Sequence, residues 1–368
     1  MSSTPAEGQY RGEVVYLYAF DVANEIQLGR ASELLSGRSA PFAIRHDQPF
    51  PKSVPIYQPL AIESPAETAR LNGEPVRLLV RVYDVGVVSV TIRVEFTCDA
   101  LGDLPRLLAP SLDSGQTLDA FARHRKEEVC GALSSALVRP GETIDPEAYT
   151  VFTLTQLPGE RDANRWLAGR EREIAALLTE TPAGQLSDMQ VNDVLRLRRS
   201  YQNSDLVIID WEASLVVDLD GYAEDVLFVL ELANLQLEEF RWMDLTLDRH
   251  VEGAYGDLSR RPWWLFGAIA GTLRSLRRLR VDLARLADEV THITKFIGDW
   301  HLARVYLLAR ERFHLDQWRS RVEQRLGELD QLYTITRGDL YDRRMLWLEV
   351  VIVVFFAIDI LILLINGR

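Results

Sequence analysis

The residues that could carry chemistry are few and far apart in this chain. Its six histidines are scattered along the sequence, at His46, His124, His250, His292, His301 and His314. None of them forms the H-x-x-x-H or H-E-x-x-H spacing that places two metal-binding imidazoles on one helix face. The chain also lacks a Walker loop, a Rossmann glycine pattern and a G-x-S-x-G nucleophile elbow. We therefore assign no catalytic, cofactor-binding or metal-binding residue, and we predict a protein that is not an enzyme.

Two cysteines and two histidines are the remaining candidates for thiol or metal chemistry. Cys98 and Cys130 are too few for a disulfide framework or a multi-thiolate metal site. We expect each to be a buried small side chain in a reducing compartment. His292, and His301 close to Asp299, could bind a metal, but a structural role is the simpler interpretation.

The charge balance bears on the class of partner. A formal net charge of -13 argues against general nucleic-acid binding, which depends on a surplus of lysine and arginine. We expect no nucleic-acid partner. Neighbouring carboxylates such as Glu238 and Glu239 are expected to lie on a solvated helix face.

The most apolar stretch of the chain, 345–365, predicts a transmembrane helix. Between Val350 and Ile365 the only residue that is not apolar is Asp359, and the run is about as long as the roughly 30 Å hydrocarbon core of a bilayer. The alternative is a buried helix of a large soluble domain. Since more arginines precede the run than follow it, and the first residues lack a signal-peptide pattern, we expect a tail-anchored, single-pass protein with a cytoplasmic N-terminus.

Two acidic residues in this stretch, Glu349 and Asp359, indicate a contact within the membrane. An ionised side chain that faces lipid is costly, and the two carboxylates lie about 80° apart around a helix. We therefore expect them, with Trp347 and Phe355, to contact other copies of the chain. The alternatives for Asp359 are a position close enough to the far interface to reach it, or an ion or proton pathway.

Upstream of this stretch, the pattern predicts an α+β domain over 13–220, after a disordered start over 1–12. Alternating apolar residues in 76–83 and 88–97, separated by a turn that contains Gly86, predict a β-hairpin with one buried face. Further strands are expected over 13–20, 56–62, 149–155, 205–211 and 213–217, and helices over 101–108, 117–137, 161–179 and 187–199. We expect one mostly antiparallel sheet, because no βαβ repeat is present.

From Gly221 to Arg344 the period is helical and predicts a bundle or stalk. A first helix is expected to end near His250. The next has a heptad seam that we expect to join copies or helices, at Leu276, Leu279, Leu283, Leu286, Val290, Ile293 and Ile297. A last helix from Asp316 would reach the transmembrane stretch if Gly338 is tolerated, giving a rigid stalk roughly 75 Å long.

An aromatic and basic segment opens the heptad helix. Trp263 and Trp264 precede Arg277 and Arg278, a combination that is typical of an interfacial helix on anionic headgroups. The alternative is a helix start that packs on the neighbouring bundle, with its arginines close to the acidic residues of 221–249.

The C-terminal part of the chain resembles a known family. The stretches Ser204-Asp-Leu-Val-Ile-Ile-Asp-Trp-Glu-Ala-Ser-Leu-Val-Val217 and Gly298-Asp-Trp-His-Leu-Ala-Arg-Val-Tyr-Leu-Leu-Ala-Arg-Glu-Arg-Phe313, with Leu348-Glu349, are similar to the required-for-meiotic-nuclear-division family. The resemblance implies a membrane-anchored, homo-oligomeric and non-enzymatic protein. Because no transit peptide is seen, it implies a relative from a bacterial inner membrane.

A second likeness, to CorA-type divalent-cation channels, is architectural only. Those channels have two membrane helices and a Gly-Met-Asn signature, which this sequence lacks. Our leading hypothesis is a tail-anchored homo-oligomeric scaffold. Its expected partners are other copies of the chain, the bilayer and an unknown cytoplasmic protein. The alternatives are a cation channel lined by Asp359 and an enzyme of unknown chemistry in the N-terminal domain.

Overall fold

The computed structural model describes residues 8–35, 40–41, 59–141, 145–260, 281 and 300–366. The chain divides into two compact units. The first comprises Met1–Trp242 and Leu286–Arg319, and the second comprises Met243–Arg285 and Ser320–Arg368.

The first unit is an α+β domain built on a mixed sheet. Its strands are β1 (Tyr10–Asp21), β2 (Ala23–Ile26), β3 (Ala40–Pro41), β4 (Leu60–Leu71), β5 (Glu74–Val82), β6 (Val87–Cys98), β7 (Leu137–Pro140), β8 (Glu147–Gln156), β9 (Arg198–Arg199), β10 (Asp205–Ile209) and β11 (Ala213–Asp218). Within the described residues, nine strands form one sheet in the order β3-β4-β5-β6-β1-β8-β11-β10-β9, and β2 pairs with β7. Every pair is antiparallel except β8 with β11, so the prediction of a mostly antiparallel sheet is confirmed.

The described helices belong to both units, and side-chain caps begin three of them. The helices are α1 (Leu28–Leu34), α2 (Leu118–Ala132), α3 (Ala163–Leu167), α4 (Glu171–Leu178), α5 (Asp188–Arg196), α6 (Ala223–Arg260), α7 (Trp300–Arg312) and α8 (Leu315–Asn366), with 3₁₀ turns at Leu101–Leu107 and Ala183–Gln185. The Thr117 hydroxyl caps α2 by accepting from the amide of Ala120, and Ser187 caps α5 in the same way. The helix predicted over 161–179 is two helices, because Gly169 adopts a φ of 86° that a right-handed helix excludes.

The predicted hairpin is confirmed as β5 and β6. Gly86 closes its turn with a φ of 95°. A Cβ at that position would lie 1.7 Å from the backbone oxygen of Ala23. Glycine is therefore required there for two reasons. The backbone is left-handed, and the backbone of β2 approaches too closely for a side chain.

The two faces of the sheet differ in chemistry because strand side chains alternate. One face carries residues such as Val90, Ile92 and Phe152 into the main hydrophobic core, together with residues of α2 to α5. The other face is rich in polar side chains and is covered by α6. Among the described residues, one apolar cluster on that second face includes Ala19, Tyr83, Val87, Phe228, Leu232 and Leu235.

The second unit is described mainly by the later parts of α6 and α8. The buried residues Met243 and Leu247 lie on α6, and Val322, Leu326 and Leu329 lie on α8. Arg325 of α8 pairs with Asp244 at 3.1 Å and with Asp248, so the two helices run side by side. Helix α6 continues to Arg260, beyond the end predicted near His250. Helix α8 is continuous over 52 residues, so Gly338 is tolerated as the stalk prediction required.

The predicted transmembrane helix over 345–365 is not supported. In the part of the chain that the structure describes, no helix is long and apolar enough to span a membrane. The tail-anchored, single-pass location in a bacterial inner membrane, which rested on that helix, is therefore wrong.

Candidate functional site

Most of the site residues predicted from the sequence lie outside the described residues. This holds for the heptad seam at Leu276, Leu283, Leu286, Val290 and Ile293, and for the aromatic and basic segment at Trp263, Trp264, Arg277 and Arg278. The side chains of Trp347 and Asp359 also lie outside the described set. Glu349 and Phe355 are described, and both are exposed on α8.

The apolar segment of α8, residues 350–358, is exposed along its whole length. Its large side chains are between 37% and 69% exposed: Val350, Val351, Ile352, Val353, Val354, Phe355, Phe356 and Ile358. Successive helical residues point about 100° apart, so consecutive exposed residues face every direction around the helix. Contiguous exposed apolar surface of this kind marks an association site.

A second feature is a cleft of about 480 Å³ in the first unit, which we call the arginine cleft. It lies where the end of α5 meets the last turn of α7 and the first turn of α8. Its lining residues are Arg196, Leu197, Leu307, Arg310, Glu311, Arg312, His314, Asp316 and Gln317. Three arginines and two carboxylates are among the lining residues, and Asp193 and Asp210 lie against Arg312, so each arginine of the cleft has a carboxylate partner.

The junction between α7 and α8 is anchored to the sheet by aromatic packing. Phe313 is buried and meets the ring of Tyr149 edge-on, with 4.9 Å between the centroids. The Tyr149 hydroxyl in turn donates to the backbone oxygen of Asp210 at 2.8 Å. His314 follows with a φ of 53°, which ends α7, and its ring lies 5.7 Å from that of Trp211. The wall of the cleft is thus held in place by the strands.

Arg312 joins three parts of the first unit at the rear of the cleft. Its Nε donates to the backbone oxygen of Ile209 at 3.2 Å, and its terminal nitrogen donates to the backbone oxygen of Asp193 at 2.8 Å. The other terminal nitrogen lies 3.2 Å from carboxylate oxygens of both Asp193 and Asp210. The hydrogen bond from Arg312 lowers the pKa of Asp193, whereas burial raises the pKa of Asp210 despite the same neighbour.

The other two arginines of the cleft are paired with exposed carboxylates. Arg196 lies 2.7 Å from Glu311, whose side chain is 53% exposed. The Nε of Arg310 lies 3.1 Å from each carboxylate oxygen of Asp316, whose side chain is 62% exposed. Ion pairs with exposed partners contribute only about 0–1 kcal/mol each, so these arginines are weakly held.

The expectation that Glu238 and Glu239 are solvated is wrong. Glu238 is 1% exposed and Glu239 is 7% exposed, because this side of α6 packs on the polar face of the sheet. Burial raises the pKa of Glu238 to about 7, and Arg241 lies between the carboxylates of Glu238 and Glu147. A signal was present in the sequence, since polar Ser89 and its alternate neighbours on β6 predict a polar second face.

Of the two thiols, Cys98 is buried as expected, whereas Cys130 is only half-buried. Burial raises the pKa of the Cys130 thiol to about 11 and also raises that of Cys98, which disfavours a nucleophilic thiolate. His301 packs beside the ring of Tyr201 at 5.5 Å. Among the side chains that the structure describes, no group of three or more metal-ligating residues is found.

The sheet and the helices around it are the part of the chain that matches known proteins. Residues 11–224 match the family model described as Uncharacterized protein MJ0711, N-terminal domain. The chain belongs to this MJ0711 N-terminal domain family. The Uncharacterized protein MJ0711 of Methanocaldococcus jannaschii is 22% identical over 241 residues, which cover 65% of this chain and 72% of that protein.

The MJ0711 N-terminal domain match spans the main sheet and α2 to α5, and it ends at the start of α6. The α5 side of the arginine cleft therefore lies inside the family domain, and the α7 and α8 side lies beyond it. The resemblance to the required-for-meiotic-nuclear-division family stays a prediction.

Proposed function

We propose that this protein is a non-enzymatic, homo-oligomeric scaffold whose α+β unit recruits a partner protein. The observation that supports the proposal is the apolar segment of α8, whose large side chains are 37% to 69% exposed in the single chain. Leaving so much apolar surface in contact with water is unfavourable by about 25 cal/mol per Å². An assembly of copies removes that cost.

The shape of the apolar segment favours several neighbours over one. A helix that packs in one groove of a single neighbour is apolar along one stripe only. A helix that is apolar on every side is buried on every side. Copies of the same segment offer identical surfaces, and closed symmetric assemblies of identical chains are the commonest kind of oligomer. We therefore expect a symmetric bundle of α8 helices with at least three chains.

The exposed residue Glu349 lies next to the apolar segment and can be used to test whether the α8 helices form a parallel bundle. In a parallel symmetric bundle the Glu349 side chains of neighbouring copies lie close together, and like charges destabilise such an arrangement. Replacing Glu349 by Gln is expected to tighten association. Replacing Phe355 by Asp in the middle of the apolar segment is expected to weaken it.

The deciding experiment is the mass of the purified protein, measured by light scattering in a mild detergent that keeps the exposed apolar helix in solution. The full chain is compared with a chain that ends at Tyr341 and with the Phe355→Asp variant. We expect an oligomer for the full chain and a smaller species for the other two. A monomeric full chain would rule out the scaffold. Equal oligomers for all three would keep the scaffold but reject the apolar segment as the contact.

A further inference from the structure

We propose that the arginine cleft binds a phosphate group, either as inorganic phosphate or as the phosphomonoester of a small molecule. The cavity of about 480 Å³ lies within the range of small-molecule sites. This inference concerns residues of the first unit alone and does not depend on association through α8.

The three arginines of the cleft differ in how firmly they are held. Arg312 donates to two backbone oxygens and lies against two carboxylates, so its position is fixed before any ligand arrives. Arg196 and Arg310 have exposed carboxylate partners, Glu311 and Asp316. We assign Arg196 and Arg310 as the groups that contact the anion, and Arg312, which is already paired with Asp193 and Asp210, as the residue that holds the rear wall in place.

The present partners of Arg196 and Arg310 occupy the positions that a ligand anion would take. An exposed carboxylate can leave its arginine at little cost in free energy, because water then solvates it. Arginine and phosphate form paired, charge-assisted hydrogen bonds that are roughly twice as strong as neutral ones. A phosphate therefore displaces Asp316 from Arg310 and Glu311 from Arg196.

The start of α8 contributes positive partial charge to the arginine cleft. His314, Asp316 and Gln317 line the cleft at the first turn of this 52-residue helix. The first backbone N–H groups of a helix lack intrahelical partners and carry the positive end of its dipole. This contribution is offset by the negative C-terminal ends of α5 and α7, whose last residues Arg196 and Arg312 also line the cleft, and by Asp316 in the first turn of α8, which is therefore the informative residue to change.

Titration calorimetry of the full chain with inorganic phosphate, at constant ionic strength, tests the proposal. We expect saturable binding that Arg310→Gln and Arg196→Gln each weaken by about tenfold or more. Arg165→Gln serves as the matched control, since Arg165 is 79% exposed and pairs with Asp162 at 3.6 Å, and neither residue lines the cleft. The control is expected to bind phosphate as the unchanged chain does.

The Asp316→Asn variant separates a ligand site from a purely structural network. Removing the competing carboxylate is expected to tighten phosphate binding by about threefold to tenfold, whereas a structural network predicts no effect on ligand binding. Thermal melting of each variant shows whether it is folded. If Arg310→Gln does not fold, the Asp316→Asn variant decides whether the cleft binds phosphate.

Repeating the titration with phosphoserine distinguishes the two sources of the phosphate group. Tighter binding than inorganic phosphate indicates a phosphomonoester, and weaker or equal binding indicates free phosphate.

Two results would overturn the proposal. One is the lack of measurable binding at millimolar phosphate to both the unchanged chain and Asp316→Asn. The other is phosphate binding that a folded Arg310→Gln variant leaves unchanged, or that Arg165→Gln weakens equally. Either result would leave the oligomer mass unaffected, so the scaffold proposal is judged separately.

Discussion

The guanidinium of Arg312 donates to the backbone oxygen of Asp193 at 2.8 Å, across 119 positions of sequence. This contact ties the last residue of α7 to α5. The same guanidinium reaches the end of β10 through the backbone oxygen of Ile209. One side chain thus fixes the rear wall of the arginine cleft from three directions, and its long side chain is only 11% exposed.

Replacing Arg312 by Leu is expected to lower the free energy of unfolding by about 2–4 kcal/mol. The change leaves the buried Asp210 carboxylate without its cation and two backbone oxygens without their donor. Urea denaturation measures the loss. The matched control is Arg77→Leu, whose side chain is 58% exposed in its pair with Glu13, and which is expected to cost about 1 kcal/mol or less. Equal losses for both variants would contradict the assigned role of Arg312.

Replacing Gly86 by Ala is expected to destabilise the first unit by about 2–4 kcal/mol. The new Cβ meets the backbone oxygen of Ala23 at 1.7 Å, so β2 or the hairpin turn must shift. Gly73→Ala is the control, because Gly73 has a similar φ of 82° but open space around it, and the expected cost is about 1 kcal/mol. If the two variants have the same urea midpoint, the contact with Ala23 adds nothing to the loss of stability.

Local pattern was sufficient to predict the parts of the fold that depend on local chemistry. The hairpin β5–β6 follows from alternation on either side of Gly86, and the Thr117 cap begins α2 where expected. Strand β4 was predicted only at its first residues, as a strand over 56–62, whereas it extends past Pro65 to Leu71. The structure accommodates Pro65 near the sheet edge, with a register shift between Pro65 and Arg70.

The candidate sites depend on contacts that no local pattern contains. The arginine cleft combines residues 196–197 with residues 307–317, so its charge appears only after α5 and α7 meet. The burial of Glu238 likewise depends on α6 covering the polar face of the sheet. For the transmembrane prediction, residue type along 345–365 was the only guide, and none of the helices in the described part of the chain is long and apolar enough to span a membrane.

The buried carboxyl of Glu238 predicts a pH-dependent contribution to stability. Burial raises its pKa to about 7 from the ordinary 4.5, so the folded protein holds this proton more tightly than the unfolded chain does. The contribution of Glu238 to the free energy of unfolding is therefore most favourable at low pH, and it declines as the pH rises through 7. The charged groups around it are Arg241 on α6 and Glu147 on β8, and the backbone of Asp21 also contacts it.

Glu238→Gln removes this titration while keeping the shape of the side chain. We expect the variant to be more stable than the unchanged protein at pH 8, by about 1–3 kcal/mol, and to differ little at pH 5. Urea denaturation at several pH values between 5 and 8 measures the difference. Glu95→Gln is the control, because that side chain is 61% exposed and its replacement should give a difference that does not change with pH. A Glu238→Gln difference that is equally flat would show that this carboxyl stays ionised in the folded protein, held so by Arg241.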